Sequence, residues 1–379
     1  MTKEDIMSEN KKNMNDFILE AREVGLENLG KRKELTASLV DLYVKNNYKD
    51  VTIVACGSSS NASNCAKVFM RDVLDAEVKV VSPFTFEHYE NKVSDDTMVF
   101  VISQSGYSTN SISALDKLRA MGKQAIGITG DVNSDMKDHC DLLVDYGVGV
   151  ETVGYVTKGV VTLCEYLMLF ALEAALRTGR INEERYQYFI DQIELAFTCH
   201  KEMYDATLAF YEKNKKVLLS MPHVYVCSCG AAMGPALEGA LKIGETIQIP
   251  SFAYEIEEYI HGPNLQLTPN YPVFFIDNHD ETSSRIAQIY DATSAVSDKT
   301  FMISNNRKGD RIISIEHATC PNVAPLYEVV PFQYLAYKVT TELKKWSKHP
   351  MFKEFDKIAS SKSENYRANS PLATNEDEL

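Results

Sequence analysis

A strand, a Cys-Gly turn and a helix, written twice, limit the fold of this chain more than any other feature. VACGSSSNASNCAKV (residues 54–68) and VCSCGAAMGPALEGA (226–240) share the same order of apolar run, Cys-Gly, small residues and helical stretch. In the first half, short β-branched runs at Val51–Ala55, Val78–Val81, Thr97–Ile102, Gln124–Ile128 and Leu142–Val144 read as strands. They alternate with helical stretches at Asn61–Leu74, Thr109–Met121 and 156–177. That alternation predicts a parallel, doubly wound sheet flanked by helices. After a helical connection over Arg180–Lys215, the pattern restarts with strands at His223–Cys227, Val273–Ile276, Phe301–Ile303 and Glu328–Val330, and a closing helix near 332–346. The fold class expected is therefore α/β, built as a tandem duplication. The organisation expected is an N-terminal helical segment over 1–46, a first unit over 47–190, a linker helix and second unit over 191–350, and a tail over 351–379.

The copies differ where chemistry would show. Gly57 is followed by Ser58 and Ser59, whereas Gly230 is followed by Ala231 and Ala232. Hydroxyls beside the free N–H groups of a helix start form an anion pocket, and methyls do not. A second hydroxyl-rich turn, Ser103-Gln104-Ser105-Gly106-Tyr107-Ser108, follows the third strand of the first half. In an open parallel sheet both turns lie at the carboxyl edge, where ligands bind. Each turn taken alone is equally well read as helix capping.

The second half supplies charge instead. Glu238, Lys242 and Glu245 stand at i, i+4 and i+7 and share one helical face, and Pro250 ends that helix. A short aromatic connection follows, then an acidic cluster (Glu255, Glu257, Glu258) that leads to His261-Gly262-Pro263. A carboxylate and an imidazole brought from neighbouring elements suit acid/base chemistry next to a carbonyl, although a charged helix face is also the ordinary appearance of a solvated stripe.

Several function classes are disfavoured. A net charge of −14 offers no basic stripe to an extended polyanion, so no nucleic-acid partner is expected. The eight cysteines form no compact framework and read as free thiols of a reducing compartment, which points to the cytoplasm. Cys227-Ser228-Cys229 is too tight for a zinc pair, no HExxH occurs, and no metal site is expected. Val160–Leu176, the longest apolar run, is interrupted by Glu165 and Glu173 and reads as a buried helix, so no membrane partner is expected. There is no Walker motif, and the glycines at 147, 149 and 154 do not make a dinucleotide fingerprint.

Five motifs in order resemble the sugar isomerase (SIS) family: CGSS at 56–59, SQSGYS at 103–108, the run from Glu151 to Thr157-Lys158, ALEGALKIGE at 236–245, and EYIHGP at 258–263. The last two are similar to the isomerase half of glucosamine-6-phosphate synthase, including the sixteen residues from Glu245 to His261. The resemblance covers residues 45–350 and implies two tandem SIS subdomains. It implies that Ser58, Ser59, Ser103, Gln104, Ser105 and Ser108 hold a sugar 6-phosphate, with Glu151 in the same site. It implies that Glu245 moves a proton between C1 and C2, and that His261 assists ring opening from its own or a neighbouring subunit. A C-terminal lysine would also reach the site; Lys357 is the first candidate and Lys362 the second. Glu238, Lys242 and Glu258 would support the substrate and the acid/base pair.

The synthase also carries an N-terminal glutaminase domain. About 45 residues precede the first strand here, so glutamine-derived ammonia is not expected. Val156 stands where the synthase has a substrate-touching serine. The resemblance extends to fructosamine-6-phosphate deglycases, and the activity expected is cleavage of a 6-phosphorylated fructosyl- or glucosyl-amine to glucose 6-phosphate and free amine. The other readings are an isomerase or deaminase acting on glucosamine, galactosamine or tagatose 6-phosphate, and a non-catalytic sugar-phosphate sensor. No cofactor is expected, because each step is a proton transfer. A homodimer or higher homo-oligomer is expected. The stretch after Tyr366 is polar and reads as disordered.

Overall fold

The structure, a computed structural model, describes residues 12–369. A long helix α1 (Met14–Lys45) opens it, capped by Asn13, whose side chain accepts the N–H groups of Asn15 and Asp16. The first subdomain then runs β1 (Asp50–Val54), α2 (Ser58–Leu74), β2 (Val78–Val81), α3 (Pro83–His88), β3 (Thr97–Ile102), α4 (Thr109–Ala120), β4 (Ile126–Thr129), β5 (Leu142–Asp145) and α5 (Lys158–Arg177). Its five strands are all parallel, in the order β2-β1-β3-β4-β5.

Helix α6 (Glu183–Leu218) leads to the second subdomain: β6 (Val224–Ser228), α7 (Met233–Ile247), β7 (Ser251–Glu255), α8 (Ile256–Ile260), β8 (Val273–Ile276), α9 (Ser283–Ser294), β9 (Thr300–Ile303), β10 (Ile312–Ile313), α10 (Pro325–Glu328) and α11 (Val330–Leu343). This sheet is also parallel and is ordered β10-β9-β8-β6-β7. Renumbered within its own half, that is the first sheet's order read from the other edge. Two short helices, α12 (Phe352–Ile358) and α13 (Tyr366–Asn369), follow.

One apolar core runs through both subdomains. Helix α5 is its centre, because apart from Lys158, Glu165 and Glu173 its sequence is apolar around the whole circumference and such a helix is stable only when enclosed. By length and composition it could cross a membrane; here nearly all of it is buried against α1 and α2. The central strands are buried on both faces, as parallel strands under helices are.

Helix α7 crosses from the second subdomain onto α2 of the first. Gly234 makes this possible: a Cβ there would lie 2.4 Å from the backbone nitrogen of Cys65. The helix ends at Gln248, in the left-handed conformation, just before Pro250.

Three expectations are corrected. Glu328–Val330 is not a strand; it joins α10 to α11. The stretch at Ser251–Glu255 is a strand, the edge strand β7. The tail is structured to Asn369, with Tyr366 buried on Tyr107, while the remainder of the stretch expected to be disordered lies outside the described residues, as do residues 1–11 of the N-terminal helical segment.

Candidate active site

The two hydroxyl turns and the charged face of α7 meet in one cavity of about 360 Å³. From the first subdomain come Ser58 and Ser59 at the start of α2, and Ser103, Gln104, Ser105 and Ser108 between β3 and α4. From the second come Leu241, Lys242 and Glu245. Both helix starts present N–H groups and hydroxyls to the same space, which favours a bound anion. Gly57 turns the chain into α2 with φ of 57°, a conformation that favours glycine.

The hydroxyls are ordered by one another. Ser103 Oγ donates to Ser108 Oγ (3.2 Å) and accepts the Gly106 N–H (3.2 Å). Ser105 Oγ accepts the Tyr107 N–H (3.4 Å) and Lys362 Nζ (3.0 Å). Gln104 is held from behind by Glu151, which accepts its Nε2 at 2.7 Å. Glu151 also takes the N–H groups of Thr157 (2.8 Å), Lys158 (2.8 Å) and Gly159 (3.0 Å) at the head of α5. Burial pushes this carboxyl up, and its four donors oppose that. Glu151 is therefore a support of Gln104 and a cap of α5; it is absent from the wall of this cavity and lines a neighbouring one of about 820 Å³.

On α7, the sequence period does what it predicts. Lys242 is buried and lies 3.2 Å from Glu238, one turn before it, and 2.5 Å from Glu245, one turn after it. Ser58 Oγ accepts from Lys242 Nζ (3.0 Å) and donates to Glu238 Oε1 (3.0 Å), tying the two subdomains together. Burial alone would lower Lys242, but the Glu238 and Glu245 carboxylates outweigh it and hold the ammonium above the usual lysine range. Glu245 keeps 29% of its side chain exposed and faces the cavity. A carboxylate fixed beside a buried cation, open to a pocket, is placed to exchange protons with a bound molecule.

Of the two candidate C-terminal lysines, Lys362 lines the cavity and Lys357 does not. Lys357 sits on α12, exposed and paired with Glu354 at 2.7 Å, because that helix projects away from the cavity. Five residues later the chain returns along the β3–α4 turn. The Thr109 N–H donates to Ser361 O, the Ser363 N–H donates to Tyr107 O, and Ser108 and Lys362 form an antiparallel bridge. That strap lays Lys362 and Tyr366 into the cavity wall.

Two further expectations change. Glu258 is exposed on α8 and does not line the cavity. His261 is likewise exposed and outside it, with Nδ1 at 2.8 Å from Glu257 O. Ser111 and Tyr366 are wall residues that the motifs did not single out, and Asn61, bonded to Glu238, lies just behind it. Val156 does line it. Among the described residues, no group of three His, Cys, Asp or Glu side chains is placed to hold a metal ion.

The SIS domain model matches residues 46–172 and 218–341, one match per subdomain. Glutamine–fructose-6-phosphate aminotransferase (isomerizing) of Clostridium tetani is 26% identical over 344 residues, covering 88% of this chain and 54% of that protein. The chain spans about half the length of the curated relatives it matches. Among solved structures, a candidate phosphosugar isomerase of Clostridium difficile superposes with a TM-score of 0.84 at 24% identity, covering 93% of this chain and 99% of that one. The C-terminal domain of glucosamine-fructose-6-phosphate aminotransferase from Francisella tularensis gives 0.79 at 22%, covering 90% and 99%. At these identities the two structures establish a shared fold.

Proposed function

We propose that this chain, which belongs to the SIS domain family, is a deglycase acting on a 6-phosphorylated fructosyl- or glucosyl-amine. One observation carries the reading: an ion-paired carboxylate, Glu245, opens into the same cavity as two hydroxyl-lined helix starts. The serine turns and Gln104 would hold the phosphate, and Lys362 would add a positive charge at the same end. With the sugar anchored there, its C1 and C2 would extend toward Glu245.

For a ketosamine, Glu245 removes the C1 proton and the electron pair moves to form the C1–C2 enaminol, with a proton taken up at O2. Return of a proton to C2 converts the enaminol to the C1 imine. Water adds to that imine, and the C1–N bond breaks to give glucose 6-phosphate and free amine. Each step is a proton transfer or a water addition, so the reading calls for no cofactor. Lys242 lies against Glu245 and orients it. His261 would assist ring opening from a second copy of the chain; its Nε2 makes no hydrogen bond among the described residues.

The likeness to a fructose-6-phosphate aminotransferase supports a second reading, an isomerase or deaminase of amino-sugar phosphates that uses the same residues. Product analysis separates them. A panel of 6-phosphorylated fructosamines and amino-sugar phosphates is incubated with the protein, and glucose 6-phosphate, larger amines and ammonia are quantified. Glucose 6-phosphate with a larger amine supports the deglycase. Ammonia, or isomerised sugar phosphate without amine, replaces it with the second reading. No turnover of any member overturns both.

A further inference from the structure

Glu238 is fully buried where α7 crosses α2, and both its oxygens are satisfied across the subdomain boundary. Ser58 Oγ donates to one oxygen at 3.0 Å and Asn61 Nδ2 donates to the other at 2.8 Å. Lys242 lies 3.2 Å away on the same helix and passes on to Glu245. A continuous chain of contacts therefore runs Asn61–Glu238–Lys242–Glu245. Asn61 is its far end and lies outside the cavity wall.

We propose that Asn61 is a positioning residue which holds Glu238 in place and, through Lys242, controls how Glu245 is presented to the cavity. The inference rests on the reading of Glu245 as the proton-transfer group.

The physical case is one of donors and charges. Burial pushes the Glu238 carboxyl up, and the Lys242 charge and the Asn61 amide pull against it. A carboxamide N–H donates to a carboxylate in place, so Asn61 favours the ionised form. The titratable groups facing Glu238 are Lys242 and Glu245 on its own helix and Cys65 on α2; burial pushes that thiol well up, so it stays neutral. Without the Asn61 donor, Glu238 takes up a proton at higher pH. Among the described residues Lys242 is then left with Glu245 as its charged partner and draws it closer, away from the cavity.

The test uses full-length protein labelled with 13C at glutamate Cδ. The Glu238 resonance is identified by its loss in Glu238→Gln. In Asn61→Leu its titration midpoint should rise by about one pH unit, the scale on which a lost donor moves a buried carboxyl; an unchanged midpoint overturns the proposal. The kcat should fall at least about threefold while phosphosugar KM is unchanged. A raised KM with an unmoved kcat would mean that Asn61 contacts substrate, and that outcome also overturns it. If Asn61→Leu fails to fold, Asn61→Asp keeps the shape. As a neutral acid it still donates to Glu238, and as an anion it cannot, so it should add a loss of kcat toward alkaline pH that the parent lacks; a profile matching the parent overturns the proposal. If the parent turns over no phosphosugar, the role of Glu245 falls, and the Glu238 midpoint in Asn61→Leu still decides whether Asn61 controls its charge.

Discussion

Glu245→Gln separates chemistry from folding more cleanly than any other single change. The amide keeps the shape of the side chain and removes the base. Its cost to stability is small, because Lys242 retains Glu238 at 3.2 Å and Ser58 at 3.0 Å, so the buried cation is not stranded. What is lost is an ion pair to a side chain still 29% exposed, worth about 1 kcal/mol or less after solvent screening. That corresponds to a fall in Tm of no more than a few degrees for a domain of ordinary size. The cost to catalysis is much larger. General base help contributes about 10²–10⁴-fold, roughly 2.7–5.4 kcal/mol of barrier. The assay couples glucose 6-phosphate to a dehydrogenase and reads NADPH, with Tm measured on the same samples. The expected result is kcat down at least about a hundredfold with Tm nearly unchanged. Activity within about threefold of the parent would refute the role of Glu245. Loss of activity accompanied by a large fall in Tm would refute the claim that Glu238 and Ser58 suffice to hold Lys242.

Further outcomes follow from the same geometry. A Cβ at Gly159 would sit 2.0 Å from Gln104 Oε1, so Gly159→Ala should swing the flexible Gln104 amide out of the anion site. Phosphosugar KM should rise about fivefold to tenfold, the worth of one hydrogen bond of this kind, with kcat little changed; an unchanged KM would show that Gln104 does not touch the ligand. Lys362→Ala should lower kcat/KM at least about tenfold through loss of a charge on the anion turn, whereas Lys357→Ala, on exposed α12, should stay within about twofold. Equal effects in the two variants would contradict the placement of the strap.

Local pattern made much of this legible. Val273–Ile276 is a strand over the residues its apolar run predicts, and Thr97–Ile102 likewise. Helical spacing put Glu238, Lys242 and Glu245 on one face, and the structure joins all three. The failures have physical causes. Residues 326–330 form a short, buried run that is apolar except for Glu328, and such a run does not distinguish strand from helix; here Pro325 and Pro331 stand at the starts of two helices. Ser251–Glu255 lies on a sheet edge, half-buried apart from an exposed Phe252, so it lacks the strong apolar signal of an interior strand. Lys362 reaches Ser105 across 257 residues, and Asn61 reaches Glu238 across 177. No periodicity within either segment encodes its partner.

The duplication also bears on why the hydroxyl-lined cavity belongs to the first copy of the turn. Both Cys-Gly turns place their glycine at positive φ, 57° at Gly57 and 55° at Gly230. In the second copy the space beyond the turn is taken by β8's own continuation. Asn278 Oδ1 accepts the Ala232 N–H (3.3 Å), and Asn278 Nδ2 donates to Cys229 Sγ and to Thr282 Oγ1, both at 3.3 Å. Next to it Asp277 is held ionised: burial opposes the charge, and donors from Ser283, Ser304 and the His279 N–H overcome it. An incoming phosphate would have to displace Asn278 and then face that carboxylate. Ala231→Ser therefore should not create a second site, because a hydroxyl restores neither the space nor the sign of the field. Calorimetric titration with a 6-phosphosugar should give one site per chain in the parent and in Ala231→Ser alike. Two sites in the variant would mean that the missing hydroxyl alone had closed the second copy. One site in both leaves Asn278 and Asp277 as the closure, with α7 of that copy turned to deliver Glu245 into the pocket of the other.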